Sequence, residues 1–397
     1  MKKKFLLVSM IAAAMLTASC SKEDNGDNSE QPVNVEQQIV QNTRPIVIKV
    51  DKKTSLSKVG TSDGYALTFS ATDRLVLTDG TNNYAELELQ EGDAGKQTAT
   101  FAGNISTDAD GKEIYATVGT PLSGVQTSSE SLADVVAKNC YLKSATFKYS
   151  KESELSVELS DQNAYLVFSV SAGQKKVNIG GETDWYPTEG NIVNQKLYVA
   201  VSAGEVSGRF FGAKILESSK IYTITREDVV DLGQTVDGRK IVWKTTNETS
   251  GTATSYNRSD AETSVYKNEK YYTWSNACTF GRLDNTTGSY QYISGTADPF
   301  RLPTKAEFEN LANLANNTQF VTHNGMACKE FTNDYGSVFF PAAGDLGGYD
   351  AGVFGYYWSG GSDGGGDAWD LDFYSGIAFV RPRDVYTEPS VRLVRGL

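Results

Sequence analysis

From Pro45 to Arg226, apolar and polar positions alternate in short runs separated by turn clusters, the pattern of a β-sandwich or barrel. Pro45–Val50, Tyr65–Ala71, Arg74–Thr78, Tyr84–Gln90, Gln97–Ala102, Glu113–Val118, Ala145–Tyr149, Leu155–Leu159, Asn163–Val170, Lys196–Val201 and Lys220–Thr225 read as strands. The period of two is clean where Ala85, Leu87 and Leu89 alternate with Glu86 and Glu88, so one face is buried and the other wet. Asp79-Gly80 with Thr81-Asn82-Asn83 predicts a turn between two of these strands. The helical candidate in this half, Leu132–Lys138, has the length of a turn or two.

From about Val229 to Leu397 the chain is richer in Gly, Trp and Tyr. Its clearest element is a helix opening at Thr304. Thr304 and Glu307 form a capping box, and Phe308, Leu311, Ala312 and Ala315 fall on one helical face.

The N-terminus has a different character. Met1–Cys20 carries three lysines, an apolar run and small residues up to a cysteine, a secretory signal rather than a membrane span. The segment after Cys20 is acidic and amide-rich, with too little apolar surface to offset its ordering entropy, and reads as a flexible tether. The expected organisation is a signal over residues 1–19, a tether over 20–44, a β-sandwich over 45–228 and a second domain over 229–397.

Composition narrows the function. Aromatics make up 11% of the 397 residues, with 37 Gly and only 9 Pro, which favours strand-rich structure. Lys and Arg total 37 against 49 Asp and Glu, a net charge of −12 with no basic run beyond the first residues, so nucleic acid is not an expected partner. One His and four Cys, without a CxxC or HExxH spacing, do not suggest a transition-metal centre.

Several motifs carry candidate chemistry. Gly60–Gly64 and Gly360–Gly364 both spell G-x-S-x-G, but neither opens a helix, and His323 is the one histidine available as a base, so both read as turns. Gly92–Gln97 lacks the spacing of a phosphate loop and reads as a hairpin turn. Glu307 or Asp370 could serve a carboxylate-based hydrolase, but no motif supports one, and the chain is read as non-enzymatic. Cys278 and Cys328 could pair, closing a loop worth roughly 4 kcal/mol, or could be two separate buried thiols. Asp363, Asp367, Asp370 and Asp372 are oxygen ligands of the kind calcium prefers, which makes calcium a candidate ion. Tyr349, Phe354, Tyr356, Tyr357 and Tyr374 sit beside Gly-rich loops and, with Trp369, could stack on sugar faces or be core.

Three resemblances add to this reading. Leu16-Thr17-Ala18-Ser19-Cys20 resembles a bacterial lipobox, which implies lipid attachment at Cys20, and the acidic residues after it resemble the export signal of surface lipoproteins of the Bacteroidota. Leu67-Thr68-Phe69 leading to Thr72-Asp73-Arg74-Leu75, the Ala145–Tyr149 and Leu166–Phe168 pair, and Ser219–Ile224 resemble the fimbrillin-like (Mfa-like) proteins. That likeness implies a transthyretin-like sandwich, assembly with other pilus subunits by strand donation, and processing after a basic residue such as Arg44, Lys52, Lys53 or Lys58. The ordered blocks Phe300–Thr304, Phe339–Gly344, Tyr356–Ser359 and Ser390–Arg395 resemble the Fibrobacter succinogenes major paralogous domain, a relative of the C-type-lectin-like and formylglycine-generating-enzyme folds. The enzyme branch needs a Cys pair near its C-terminal end, whereas the last cysteine here is Cys328, so that chemistry is not implied.

The sequence thus predicts a mainly β chain, a transthyretin-like sandwich followed by an α+β C-type-lectin-like domain. The expected role is a lipid-anchored outer-membrane surface protein at a pilus tip or in an accessory position, binding a host or microbial glycan or a protein receptor. The alternative is a monomeric glycan-binding lipoprotein of a polysaccharide-uptake system.

Overall fold

The first long strand, β1 (Thr43–Lys52), organises the N-terminal sheet. Ile46, Ile48 and Val50 turn inward, while Val47 and Lys49 face out, as a period of two requires. The structure is a computed structural model that describes residues 42–52, 56–58, 64–128, 131–188, 195–260, 263–282, 300–314 and 319–397. The signal, nearly all of the tether, Cys20, Lys53 and Ala315 lie outside those residues.

Around β1 stand β2 (Arg74–Thr78), β3 (Asn83–Leu89), β4 (Thr98–Ser106), β5 (Glu113–Val118), β6 (Leu142–Ser144) and β7 (Leu155–Asp161), with α1 (Leu132–Asn139) between β5 and β6. Including the short Phe147–Lys148 strand, they form an eight-stranded sheet in which β1 lies between β4, antiparallel, and β7, parallel. The sheet curls far enough that β5 also pairs with β6, through Thr117 with Lys143 and Val118 with Leu142, so the ring β5-β2-β3-β4-β1-β7-β6 closes on itself. Closure leaves the ring strands without a free edge.

A second sheet contains β8 (Asn163–Val170), β9 (Lys196–Ser202) and β10 (Lys220–Arg226), extended by Gln126–Ser128, Leu56–Lys58 and Gly64–Tyr65. Seven of the eight β8 residues are buried, which explains its near-continuous apolar run. Tyr165 joins the core under the first sheet, while Ala164, Leu166, Phe168 and Val170 join a second core on the other face.

That second core carries two hairpins absent from the sequence reading, Lys176–Asn178 with Trp185–Pro187 and Gly204–Gly208 with Gly212–Leu216. It also takes in Val229 and Val242, across the expected boundary at 228/229. There β10 is followed after two residues by the Val229–Val230 strand, and fully buried Asp231 accepts from Arg209 Nε at 2.6 Å and Nη2 at 3.0 Å. Residues 42–397 accordingly form one compact unit. Tyr65–Ala71 also departs from expectation. Only Tyr65 joins a ladder, opposite Leu56. Leu67 and Phe69 are buried, but the backbone of Phe69 bonds only the turn residues Gly95 and Lys96, so the segment beyond Tyr65 runs without joining a ladder.

In the C-terminal part, β11 (Arg239–Lys244), α2 (Lys305–Ala312), β12 (Met326–Thr332), β13 (Ser337–Pro341), β14 (Phe354–Ser362), β15 (Asp367–Tyr374), β16 (Ile377–Asp384) and β17 (Val394–Gly396) surround a core that includes Trp243, Phe308, Phe331, Phe340, Tyr357 and Phe373. The final strand, β17, pairs with β11, Trp243 opposite Val394. The capping box of α2 is formed as the sequence indicates, and its Glu307 carboxylate, fully buried, also grips Arg301 with two bonds of 2.6 and 2.7 Å. Among the described residues no helix is long and apolar enough to cross a membrane.

Candidate functional site

β14, β15 and β16 form an antiparallel meander with two unlike faces. Alternation places Tyr357, Leu371 and Phe373 inward, in the aromatic core. Phe354, Tyr356, Asp370, Asp372, Tyr374, Ile377, Phe379, Arg381 and Arg383 share the opposite face, because Phe354 pairs with Tyr374, Tyr356 with Asp372, and Asp372 with Phe379.

Aromatic rings run along one end of this outer face. Phe354 and Tyr356 lie parallel with centroids 5.9 Å apart, and Phe354 meets Tyr374 at 5.5 Å. Tyr374 is 39% and Ile377 37% exposed. The loop that leads into β14 carries Leu346, Tyr349 and Val353, each more than half exposed. Backbone bonds hold the loop: Asp345 and Tyr349 exchange N–H to O contacts of 3.0 and 2.6 Å, and Gly352 N donates to Ala342 O at 2.6 Å. Leu346 (φ 43°) and Asp350 (φ 63°) are both left-handed, conformations that cost energy and persist only where packing over-determines them. Gly348 supplies that close packing, since a Cβ there would lie 2.2 Å from the Tyr256 ring. The loop therefore presents its apolar side chains in a preset arrangement.

Beside the rings lies an ion-pair network. Arg383 bonds Asp370 through Nε, reaches Asp345 at 3.1 Å through Nη1, and has Nη2 3.6 Å from Asp372, which also pairs with Arg381. The Arg383 guanidinium sits 3.9 Å above the Tyr356 ring. Burial pushes the Asp370 carboxyl up to about 7, with Arg383 opposing and Asp372 adding to the rise. Burial also raises Asp372 and Asp345. Asp370 Oδ1 and Asp372 Oδ1 are buried without a hydrogen-bond partner.

This arrangement corrects two expectations and decides a third that was left open. Tyr357 is no ligand platform: it is fully buried, its hydroxyl donates to Pro341 O at 2.7 Å and accepts from Asn247 Nδ2 at 2.9 Å. The four aspartates do not make a calcium cage. Asp370 and Asp372 are committed to arginines, whereas Asp363 caps the β14–β15 turn by accepting from the N–H groups of Gly365 and Asp367. Among the described residues no group of three or more His, Cys, Asp or Glu side chains is placed to hold a metal ion. Cys278 and Cys328 are separate free thiols, half-buried and buried respectively, so the second of the two readings describes them.

Other expected residues fall elsewhere. Trp369 points to the inner face, half-buried, with Lys305 Nζ 3.7 Å from its ring centre. Tyr356 is 8% exposed beneath Arg383 and supports the patch from below, leaving Tyr349 and Tyr374 as the accessible rings. Ser362 ends β14 in a hairpin, in keeping with a turn reading. Arg44 lies within β1 opposite Ile105, Lys52 ends that strand with its side chain only 4% exposed, and Lys58 pairs with Ile221.

The sequence reading missed Asp345, Leu346, Val353, Ile377, Arg381 and Arg383. The available signal was charge alternation, Arg381 and Arg383 on one strand matching Asp370 and Asp372 on the one before.

No family model matches the chain, and no curated protein matches it. Solved structures give similarities at low identity. A fimbrial protein from Bacteroides ovatus is 10% identical, covering 90% of this chain and 100% of its own with a TM-score of 0.27. A fimbrial assembly protein from Parabacteroides distasonis is 10% identical, covering 46% of this chain and 90% of its own with a TM-score of 0.25.

Proposed function

We propose that the chain is a cell-surface adhesion protein of fimbrial type, held on the membrane by lipid at Cys20 and binding its receptor through the outer face of the β14–β16 meander. The observation that carries this reading is the exposed set Tyr349, Tyr374, Leu346, Val353 and Ile377, three of the five on a preset loop. Exposed apolar side chains held on ordered backbone beside polar groups suit a recognition site. The ligand class is a glycan. Tyr349, with Arg258 5.4 Å over one side of its ring, and Tyr374, packed on Phe354, remain partly exposed and offer stacking surface for a sugar ring, and half-exposed Arg381 offers donors for its hydroxyls.

The N-terminal half supports the fimbrial part. Because the ring is closed, another subunit's strand enters only by replacing one already there, and β1 is the ring strand that a single chain cut can release. A cut after Arg44 leaves most of β1 in place, whereas a cut after Lys52 frees all of it.

A glycan array probed with the soluble protein, paired with Tyr349→Ala and Tyr374→Ala variants, tests the adhesion reading. Glycan binding that either variant weakens without a change in thermal stability supports it. Binding that neither variant alters removes this face from consideration, and binding only to protein receptors replaces the ligand class.

A further inference from the structure

A cavity of about 400 Å³ opens where β1 ends, on the opposite part of the chain from the adhesion face in sequence. Its walls are mixed: Phe69 from the segment before β2, Val136 from α1 and Leu142 from β6 give an apolar side, whereas Lys52, Thr68, Ser70, Asp73, Thr120 and Lys138 make the rest polar. A concave volume of this size with one apolar side and one charged, polar side suits a small amphipathic molecule.

Among the polar groups is a buried ammonium. Lys52 lines the cavity with its side chain only 4% exposed. Its Nζ donates one short bond, 2.7 Å to Thr68 O, and lies 4.1 Å from the centre of the Phe69 ring. Asp73 stands 4.0 Å away, beyond hydrogen-bond reach, and its Oδ2 already accepts from Ser70 N at 2.9 Å. Asp161, the other nearby carboxylate, is occupied by the Tyr165 hydroxyl at 2.7 Å and Asn163 N at 3.1 Å. An ammonium has three donors, so Lys52 enters the cavity with hydrogen-bonding capacity unspent. Burial lowers its pKa, and Cys140, Asp73 and Asp161 oppose that only in part, the signature of a cation short of compensation.

We propose that this cavity binds a monocarboxylate with an apolar tail, the carboxylate accepting from Lys52 Nζ and the tail lying against Phe69, Val136 and Leu142. The carboxylate supplies the short charged acceptor that Asp73 does not. The tail replaces water on apolar walls. No covalent step is involved, and Cys140, whose thiol burial pushes up, serves as wall and not as nucleophile.

Calorimetric titration of the full-length protein with sodium octanoate, and separately with 1-octanol, tests the assignment. Saturable octanoate binding is expected, with octanol weaker by roughly ten- to a hundredfold, since a charge-assisted bond is lost. Lys52→Met keeps the side-chain bulk, removes the charge and should abolish the preference for acid over alcohol. Ala137→Trp, at an exposed helix position on the cavity wall, should block both ligands and keeps the test intact if the lysine variant fails to fold. Absence of saturable octanoate binding, equal affinity for acid and alcohol in the wild type, or unchanged octanoate binding in Lys52→Met would overturn the proposal.

Discussion

Arg383 bonds the Asp370 carboxylate while its guanidinium lies 3.9 Å over the Tyr356 ring, so one side chain joins the buried acidic cluster to the aromatic surface. Removing it leaves Asp370, Asp372 and Asp345 short of a counter-charge in a site with little water. Arg383→Met is expected to destabilise the fold by about 3–5 kcal/mol, read as a lower urea midpoint with an unchanged slope. A loss within experimental error would show the network to be solvated and dispensable.

The same cluster imposes a pH dependence. In the folded chain the Asp370 pKa is raised to about 7, above the usual value near 4 of an unfolded aspartate. The folded state therefore holds more protons in that window, and the Asp370 contribution to stability falls as pH rises from about 4 to about 7. Asp372 and Asp345 are shifted in the same direction. Carboxylates with lowered pKa, such as Glu248, act oppositely, so the informative quantity is the difference between wild type and Asp370→Asn. That difference should change across the window and be flat above it. A pH-independent difference counts against a protonated Asp370.

Three free thiols in the described chain imply that reducing agent leaves its thermal midpoint unchanged. Thiol counting in denaturant without reductant should find Cys140, Cys278 and Cys328 all free. A peptide linking Cys278 to Cys328 in a non-reduced digest is the contrary result.

The buried Arg301–Glu307 pair and the cap of α2 share one carboxylate, since Glu307 Oε2 accepts from Arg301 Nη1 at 2.7 Å and from Thr304 N at 2.8 Å. Glu307→Gln should cost about 3–5 kcal/mol because it leaves a buried guanidinium unpaired. Thr304→Ala, which removes only the hydroxyl accepting from Glu307 N, should cost about 1 kcal/mol. Chemical denaturation of the two variants separates these cases, and equal losses would mean that the cap, not the ion pair, holds the segment.

Strand replacement in the ring can be reproduced without a pilus. A chain lacking residues through Lys52 has no β1, and Leu87, Phe101 and Val157 then line an open groove. It should melt cooperatively only when a peptide of sequence TRPIVIKVDK is added. Cooperative unfolding of the truncated chain without peptide would show that β1 is not needed to fill the groove.

The local periodicities were legible. Glu113–Val118 and Asn163–Val170 match the expected strands residue for residue, because alternation or continuous apolarity reports burial directly. The capping box of α2 was legible for the same reason, as its partners lie three residues apart. The two Gly-bounded hairpins were not, since their strands are short and gain order from packing on the second sheet.

At the candidate site the sequence determined which residue types stand near one another along β14 and β15, and it drew attention to a run of tyrosines and aspartates. Only the tertiary structure decided their roles. Tyr357 and Tyr356 are adjacent in the chain, yet the pleat sends one into the core and the other under Arg383. Asp370 and Asp372 looked like calcium ligands until β16 paired alongside and brought Arg381 and Arg383 against them. A period of two states which residues share a face, but not which face is covered or what charge the neighbouring strand supplies. Those depend on contacts distant in sequence, where side-chain pattern carries no direct signal.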